Sequence, residues 1–167
     1  MTFDLQPLLT SDLVILRPLH GEDFEDLYGI ASDPQLWRQH PSKDRTDERV
    51  FRIWFDEALA SGGALVAEDA VSFDVIGTSR FARRSDGSVE IGWTFLARSR
   101  WGGTWNGEIK RLMLAHAFAS VPEVTFTVHS ANTRSQRAVL RLGATQVGAE
   151  PDAHGRGRNF VYRLRRP

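Results

Sequence analysis

The segment from residue 88 to residue 129 constrains the fold most strongly, because the spacing of its apolar residues changes twice. Residues 88–96 have the pattern of a strand, residues 104–120 have helical spacing, and residues 124–129 are strongly β-branched. A strand, a helix and a second strand in this order predict a crossover unit within one sheet. The segment therefore predicts an α/β fold.

Apolar runs and breaking residues predict the other elements. Strands are predicted at residues 13–16, 64–67, 75–82, 145–148 and 159–164. Asp86-Gly87 predicts a hairpin turn before the strand at residues 88–96. Helices are predicted at residues 22–30, from a Thr46 cap to Ser61, and at residues 132–142. Since no linker or repeat interrupts this order, residues 1–167 are expected to form one domain with a mixed sheet.

Composition excludes several classes of function. The 167 residues include 21 basic and 21 acidic side chains, so net charge gives no attraction to nucleic acid or to an anionic membrane. The absence of cysteine excludes thiolate nucleophiles, and the histidines are too scattered to suggest a metal site. No apolar run approaches the roughly 20 residues that span a bilayer, and the first residues do not resemble a signal peptide. We therefore expect a cytoplasmic protein without a metal, membrane or nucleic-acid partner.

A glycine-containing loop joins the strand at residues 88–96 to the helix that follows it. Gly102, Gly103 and Gly107 lie in this region. Such a loop can turn several backbone N–H groups toward one point at the positive end of the helix dipole, which suits a pyrophosphate. The alternative is that the glycines only permit a tight turn between strand and helix.

A second polar segment begins the helix at residues 132–142. Asn132 is suited to cap this helix, with Ser135 three residues later. Arg134, Arg137 and Arg141 share one side of the helix. This basic side either faces solvent, as such stripes usually do, or meets phosphates.

Four motifs in the expected order resemble the GNAT acetyltransferase superfamily, particularly the branch that includes ribosomal-protein N-terminal acetyltransferases. The motifs are LVILRPL at 13–19, EIGW at 90–93, WGGTWNGEIK at 101–110, and NTRS at 132–135 followed by LGA at 142–144. The resemblance extends from about residue 13 to residue 164. It implies a mixed, mostly antiparallel sheet of about seven strands, flanked by about four helices, with the fourth and fifth strands splayed apart.

The loop departs from the family pattern at two positions. Trp101 and Gly102 match the pattern, but Thr104 and Asn106 stand where the family has small residues. A Cβ atom at these positions would crowd the phosphates, or would be strained if φ were positive. We interpret the loop as a variant of the site, and cosubstrate affinity is the property that the two residues bring into question.

The resemblance implies acetyl-CoA as the cosubstrate. Pantetheine would pair with the backbone of the fourth strand, and the N–H of Phe95 or Leu96 would polarise the acetyl carbonyl. The pyrophosphate would lie over the loop and the start of its helix. The residues assigned to cosubstrate binding are Thr94, Phe95, Leu96, Trp101, Gly102, Gly103, Thr104, Trp105, Asn106, Gly107, Asn132 and Ser135.

Direct attack by an amine requires removal of a proton from the ammonium group and a proton or hydrogen bond for the departing thiolate. Three residues are candidates for these two roles. Glu90 is the first candidate for the base that deprotonates the ammonium group, because it begins the fourth strand beside the cleft. His129 is the second, because imidazole titrates near neutrality. The resemblance places Ser135 where it would hydrogen-bond the departing thiolate. The alternatives are a solvent-facing Glu90, a structural His129 and a Ser135 that only completes its helical turn.

The acceptor is expected to be a primary amine, on a protein N-terminus or on a small molecule. The segment from Trp37 to Arg45 lies where the family builds its acceptor pocket. Two other hypotheses are a coenzyme A-binding or regulatory module without catalytic activity, and a domain that binds no coenzyme A. The sequence does not identify the acceptor, and it does not reveal whether the chain forms the homodimer that is common in the family.

Overall fold

The computed structural model describes residues 2–167, which form an eight-stranded sheet with helices on both faces. The strands are β1 (Leu9–Thr10), β2 (Val14–Pro18), β3 (Ala64–Asp69), β4 (Val75–Arg83), β5 (Val89–Leu96), β6 (Glu123–His129), β7 (Thr145–Pro151) and β8 (Arg158–Arg165). The helices are α1 (Phe24–Ala31), α2 (Glu48–Ala60), α3 (Trp105–Phe118) and α4 (Thr133–Arg141). Within this range, none of the helices has the length and apolar character that a membrane crossing requires.

The sheet has the order β1-β2-β3-β4-β5-β6-β8-β7, and among the described strands β5 and β6 are the one parallel pair. The predicted mixed, mostly antiparallel α/β fold is confirmed, but the sheet has eight strands rather than seven. The additional strand, β1, pairs Leu9 with Leu16 over only two residues, too few to show an alternating pattern. Its pairing depends on the turn at Ser11, whose hydroxyl accepts hydrogen bonds from the N–H groups of Leu13 and Val14 at 3.2 Å.

The helix caps agree with the sequence prediction at α4 but not at α2. The Asn132 side chain accepts a hydrogen bond from the Ser135 N–H at 3.3 Å and begins α4, as predicted. The N-cap of α2 is Asp47 rather than Thr46. A carboxylate is the stronger cap here, because it accepts two N–H groups of the first turn and also interacts favourably with the helix dipole.

Both faces of the sheet are covered, so successive residues of the central strands enter two different cores. In β3, Leu65 and Ala67 enter a core shared with α3 and α4. Ala64 and Val66 point the other way, into a second core that α1 and α2 complete with aromatic residues. The sheet is therefore the middle layer of three, and a strand that loses its partner opens the centre of the protein.

β5 and β6 stop pairing with each other soon after they begin. They pair only at Val89 with Val124 and at Glu90 with Thr125. Beyond these two pairs the strands separate, which confirms the predicted splay. We call the space between the separated ends of β5 and β6 the wedge.

A β-bulge in β5 accompanies the separation. Arg80 of β4 pairs with Gly92 of β5 and Thr78 pairs with Phe95, so two β5 residues lie opposite one β4 residue. The first of them, Trp93, has a φ of 52°, a left-handed conformation that is uncommon for a bulky side chain. Strained backbone of this kind is found most often at functional sites.

Replacing Phe81 with alanine should lower the free energy of unfolding by about 3–5 kcal/mol, because the change leaves a cavity in a close-packed core. Phe81 is fully buried in the core shared with α3 and α4, where its ring meets that of Phe3 at 5.3 Å between centroids. Urea denaturation followed by circular dichroism measures the change. Val71→Ala is the control, since Val71 is 81% exposed. A loss no larger than that of the control would contradict this core.

Candidate active site

The wedge brings together three segments that contain the residues predicted to bind the cosubstrate. Thr94, Phe95 and Leu96 end β5, residues 97–104 lead from it into α3, and Asn132 and Ser135 lie where β6 gives way to α4. Because β5 and β6 are parallel, their carboxyl ends lie at the same edge of the sheet. Ligands commonly bind at this edge in α/β proteins.

The backbone of β5 presents a free donor to the wedge at Leu96. The Ala97 N–H donates to the Ile76 carbonyl at 2.8 Å, and Phe95 is in register with Thr78, so residues 95 and 97 direct their backbone groups toward β4. The alternation of an antiparallel pair therefore turns the Leu96 N–H toward the wedge. Of the two predicted donors to the acetyl carbonyl, Leu96 is the one that faces this space.

The loop and the first turn of α3 present a row of free backbone donors. Within residues 2–167, the N–H groups of residues 102–107 make no hydrogen bond, and the first bonded one is that of Glu108, which donates to the Thr104 carbonyl at 2.9 Å. α3 has 14 residues, so its dipole adds positive potential at the same point. Consecutive free N–H groups at a helix N-terminus form an anion-binding site.

The two departures from the family pattern do not strain this loop. Within residues 101–107 the left-handed position is Gly102, with a φ of 72°, where glycine is favoured. Thr104 has a φ of −85° and a ψ of −8°, and Asn106 lies in the first turn of α3. Both residues thus keep ordinary helical backbone, and their N–H groups belong to the free row.

A cation–π contact bridges the mouth of the wedge. The Arg134 guanidinium, at the start of α4, lies 3.7 Å from the centroid of the Trp101 ring, which follows β5. The Trp101 indole N–H donates to the Leu96 carbonyl at 3.1 Å. Gln39 accepts hydrogen bonds from the Arg134 N–H and from the Thr133 hydroxyl. Arg134 makes no ion pair within the described residues, so its charge is available to a phosphate.

Glu90 lies at the closed end of the wedge, in the last pair that joins β5 to β6. It is only 8% exposed, so the alternative of a solvent-facing side chain is wrong. Its Oε2 accepts a hydrogen bond from Arg84 at 2.9 Å, and the same guanidinium donates to Glu150 at 2.8 Å and to Thr127 at 3.1 Å. Glu90 Oε1 has no hydrogen-bond partner within residues 2–167. One carboxylate oxygen therefore remains free to accept a proton.

His129, at the end of β6, is held by both of its ring nitrogens. Nε2 lies 2.7 Å from the Arg156 carbonyl, to which it donates, and Nδ1 accepts from the Ala131 N–H at 3.1 Å. The Arg156 side chain in turn donates to the Pro41 carbonyl and to the Ser42 hydroxyl, each at 3.0 Å. His129 thus fixes the β7–β8 turn against the segment before α2, and its lone pair is already in use.

Ser135 lies in the first turn of α4 with an unused hydroxyl. Its N–H donates to Asn132, but its Oγ makes no hydrogen bond in the part of the chain that the structure describes. Asn132 is 9% exposed and holds the start of the helix in place. The hydroxyl can therefore donate to a ligand atom in the wedge without losing a protein contact.

Lys110 is a polar residue of the site that sequence reasoning missed. It lies on α3 beneath the bulge, 6% exposed, and its ammonium group donates to the Thr94 hydroxyl at 2.5 Å and to the Ser79 hydroxyl at 3.3 Å. Burial lowers its pKa to about 7. The signal in the sequence was its place beside Ile109 on the apolar side of the helix, where a lysine is unusual.

Aromatic residues line the side of the wedge where the acceptor pocket is predicted. The Phe95 ring contacts the rings of Trp37 and Trp54, each at 5.4 Å between centroids. His40 meets the Trp37 ring edge-on at 5.4 Å, and burial is the main cause that lowers the pKa of this imidazole to about 3. The predicted segment from Trp37 to Arg45 therefore adjoins the end of β5.

The fold and the site together define an acyltransferase that would hold a phosphate-bearing cosubstrate between two separated strands. Within residues 2–167, no group of three or more His, Asp and Glu side chains is arranged to hold a metal ion. Residues 14–145 match the sequence model of the acetyltransferase (GNAT) domain, and the chain belongs to this family of acetyl-CoA-dependent enzymes.

Solved structures of similar fold agree with this assignment. The chain is similar to a GCN5-related N-acetyltransferase from Brucella melitensis, with a TM-score of 0.81 and 19% identity over 96% of this chain and 79% of that chain. The acetyltransferase from Agrobacterium tumefaciens str. C58 gives 0.74 and 22% over 96% and 95%. Mycobacterium smegmatis RimJ in complex with CoA-disulfide gives 0.70 and 20% over 95% and 85%. At these identities the similarity shows the fold alone. No curated protein sequence matches the chain significantly.

Lys110→Met should stabilise the protein at pH 7 and below. Because the pKa of Lys110 falls from 10.5 to about 7, the unfolded chain binds more protons than the folded chain between these values, and wild-type stability rises with pH there. Below pH 7 the fold carries the full cost of burying an ammonium group, roughly 2–5 kcal/mol. The variant avoids this cost, so its advantage should be largest in acid and should shrink toward pH 10.

Chemical denaturation across this pH range measures the effect. Lys43→Met is the matched control, because Lys43 is exposed and its replacement should leave the free energy of unfolding nearly unchanged. A Lys110→Met variant that is less stable than wild type in mild acid would contradict the assignment of an unfavourably buried ammonium.

Proposed function

We propose that the protein is an N-acetyltransferase that moves the acetyl group of acetyl-CoA to a primary amine, by direct attack in a ternary complex. The row of free N–H groups at residues 102–107, beside the wedge, is the observation that carries this proposal. Membership of the GNAT family supports the same cosubstrate. The RimJ structure, which is similar in fold, was determined in complex with CoA-disulfide.

Three segments are proposed to hold the cosubstrate. The backbone of Thr94 would bind a pantetheine amide, and residues 101–107 would bind the pyrophosphate. The N–H of Leu96 would polarise the thioester carbonyl, because its direction toward the wedge suits it to stabilise charge that develops on the oxygen. Asn132 and Ser135 would face the thiol end from the start of α4.

Two side chains are proposed to complete the chemistry. The amine nitrogen forms a bond to the acetyl carbon while the carbon–sulfur bond breaks. Before the attack, the ammonium group loses one proton, which passes through water to Glu90. As the amide forms, the nitrogen loses a second proton, which passes through the Ser135 hydroxyl to the thiolate sulfur. Glu90 is preferred to His129 because it keeps a free oxygen, whereas both nitrogens of His129 are bonded. Since the chain has no cysteine, no cysteine acyl-enzyme is involved.

The acceptor is proposed to be an amine on a protein N-terminus or on a small molecule. The motifs quoted from the sequence favour the branch of ribosomal-protein N-terminal acetyltransferases. The competing hypothesis of an inactive module is motivated by Thr104 and Asn106. The ordinary backbone conformation of both residues supports a working loop instead.

Acetyl-CoA should raise the stability of the wild-type protein by about 2.7 kcal/mol at 100 times its dissociation constant. Thermal denaturation measures this as a shift of several degrees. Gly102→Ala should reduce the shift, because an alanine at a φ of 72° displaces the loop. Gly87→Ala is the matched control, since Gly87 has a φ of 82° but lies at the β4–β5 turn. No wild-type shift with millimolar acetyl-CoA would contradict the cosubstrate, and an unchanged shift in Gly102→Ala would contradict the loop.

Glu90→Gln should lower kcat by about 100- to 10,000-fold with little change in the KM for acetyl-CoA, because a proton acceptor is removed. Release of the coenzyme thiol, followed with a thiol reagent, measures turnover without background from this cysteine-free chain. Glu150→Gln removes the other carboxylate bound to Arg84 and should leave kcat nearly unchanged. Equal losses of kcat in both variants would indicate that turnover depends on the ion pairs of Arg84 rather than on Glu90 as a base.

A further inference from the structure

One buried and one half-buried guanidinium group lie on the proposed acceptor side of the wedge, and neither forms an ion pair within residues 2–167. Arg80, on β4, is 8% exposed, and its Nε is shielded from solvent and unbonded. Arg45 precedes α2 and is half-buried. Within residues 2–167, neither guanidinium makes a hydrogen bond or an ion pair.

Three indole rings surround these two guanidinium groups. Arg45 lies 5.0 Å from the centroid of Trp37 and 5.6 Å from that of Trp54. Arg80 lies 4.7 Å from the centroid of Trp93 and 5.9 Å from that of Trp54. Both cations therefore share the Trp54 ring, whose own N–H is buried and has no hydrogen-bond partner among residues 2–167. We call these five side chains the Arg–Trp cluster.

The cluster is electrostatically incomplete as it stands. The cation–π contacts place each guanidinium over an indole ring but give its N–H groups no hydrogen-bond acceptor within residues 2–167. Burial is the main cause that lowers the pKa of Arg45, to about 10; the like charges of Arg156 and Arg80 lower it further, and the neighbouring Asp44 opposes them. Glu57 favours the charged form of both cluster arginines, but Asp44 and Glu57 are both exposed, and within residues 2–167 neither carboxylate pairs with Arg45 or Arg80. An anion in the cluster would meet the unbonded donors and relieve the repulsion.

The position of the cluster connects it to the reaction. Trp37 and Trp54 contact the ring of Phe95, the residue before the proposed Leu96 donor. Trp93 is the bulged residue of the same strand. A ligand group bound in the cluster therefore lies on the acceptor side of the strand that would carry the thioester.

We propose that the acceptor amine also carries a carboxylate, which binds to Arg45 and Arg80 while the amine is directed toward the wedge. This proposal rests on the N-acetyltransferase function argued above. A carboxylate is favoured because it is planar and matches the paired donors of a guanidinium edge. The carboxylate is either that of an amino acid or an acidic side chain next to a peptide N-terminus.

A binding experiment tests the anion site without requiring turnover. Thermal denaturation of the full chain, with the cosubstrate site saturated by coenzyme A, compares glutarate with its neutral analogue glutaramide. Glutarate should raise the melting temperature and glutaramide should not. Arg45→Gln and Arg80→Gln should abolish the glutarate shift. Arg49→Gln is the matched control, since the Arg49 side chain is 95% exposed on α2, and it should keep the shift.

The melting temperatures without ligand show whether the variants are folded. Because Arg80 is buried and unpaired, Arg80→Gln should be at least as stable as wild type. A shift with glutaramide equal to that with glutarate, or a glutarate shift that survives in both cluster variants, would overturn the proposal. A larger shift with inorganic phosphate than with glutarate would overturn the choice of a carboxylate.

Turnover then identifies the source of the carboxylate. Thiol release is compared for β-alanine and its amide, for δ-aminovalerate and its amide, and for short peptides that have Asp or Asn after the N-terminal residue. We expect the acidic member of at least one pair to have a kcat/KM tenfold or more above its neutral partner, and Arg45→Gln to remove the difference. The pair that shows this difference in kcat/KM identifies the acceptor as an amino acid or as a peptide. Equal rates within every pair would overturn the proposal. Glutarate binding without acetylation of any amine would instead overturn the proposed function and leave the anion site standing.

Discussion

The separation of β5 from β6 is the constraint on which the rest of the structure depends. Two strands in the middle of an eight-stranded sheet pair at only two positions, so backbone groups near the centre of the protein are left without strand partners. Such groups are costly unless a ligand or water meets them. The wedge is therefore a weakness of the sheet, and in the proposed function it is the place where a long, amide-bearing cosubstrate would act as a substitute strand.

The bulge that opens the wedge lies between two cations, one on each face of the sheet. Thr94 points toward α3 and receives a hydrogen bond from Lys110, whereas Trp93 lies against Arg80 on the opposite face. Neither cation has a carboxylate partner within residues 2–167. A buried cation usually weakens a fold, so each of these two residues is expected to cost stability where it lies.

The sequence predicted the parts of the fold that depend on local periodicity. The change of period along residues 88–129 predicted β5, α3 and β6, and the family motifs predicted the splay. The bulge was out of reach, because Trp93 sits in a run of strand-forming residues and a positive φ for tryptophan has no local signal. Lys110 and Arg80 were missed for a related reason. Charged residues are expected at the surface, and only the packing of α2 and α3 on the sheet reveals that these two are buried.

The half of the site proposed to bind the cosubstrate could be found from the sequence, whereas the half proposed to bind the acceptor could not. The groups proposed to hold the cosubstrate come from two short stretches, residues 94–107 and 132–135, so their order along the chain is a motif. The Arg–Trp cluster instead takes two residues from the segment between α1 and α2 and one residue each from α2, β4 and β5. No spacing in the sequence links these positions, and each has an ordinary structural explanation when considered alone. Their common property, unmet donors around shared indole rings, exists only in three dimensions. A family can therefore be assigned from the sequence of such a protein, whereas its acceptor must be inferred from its fold.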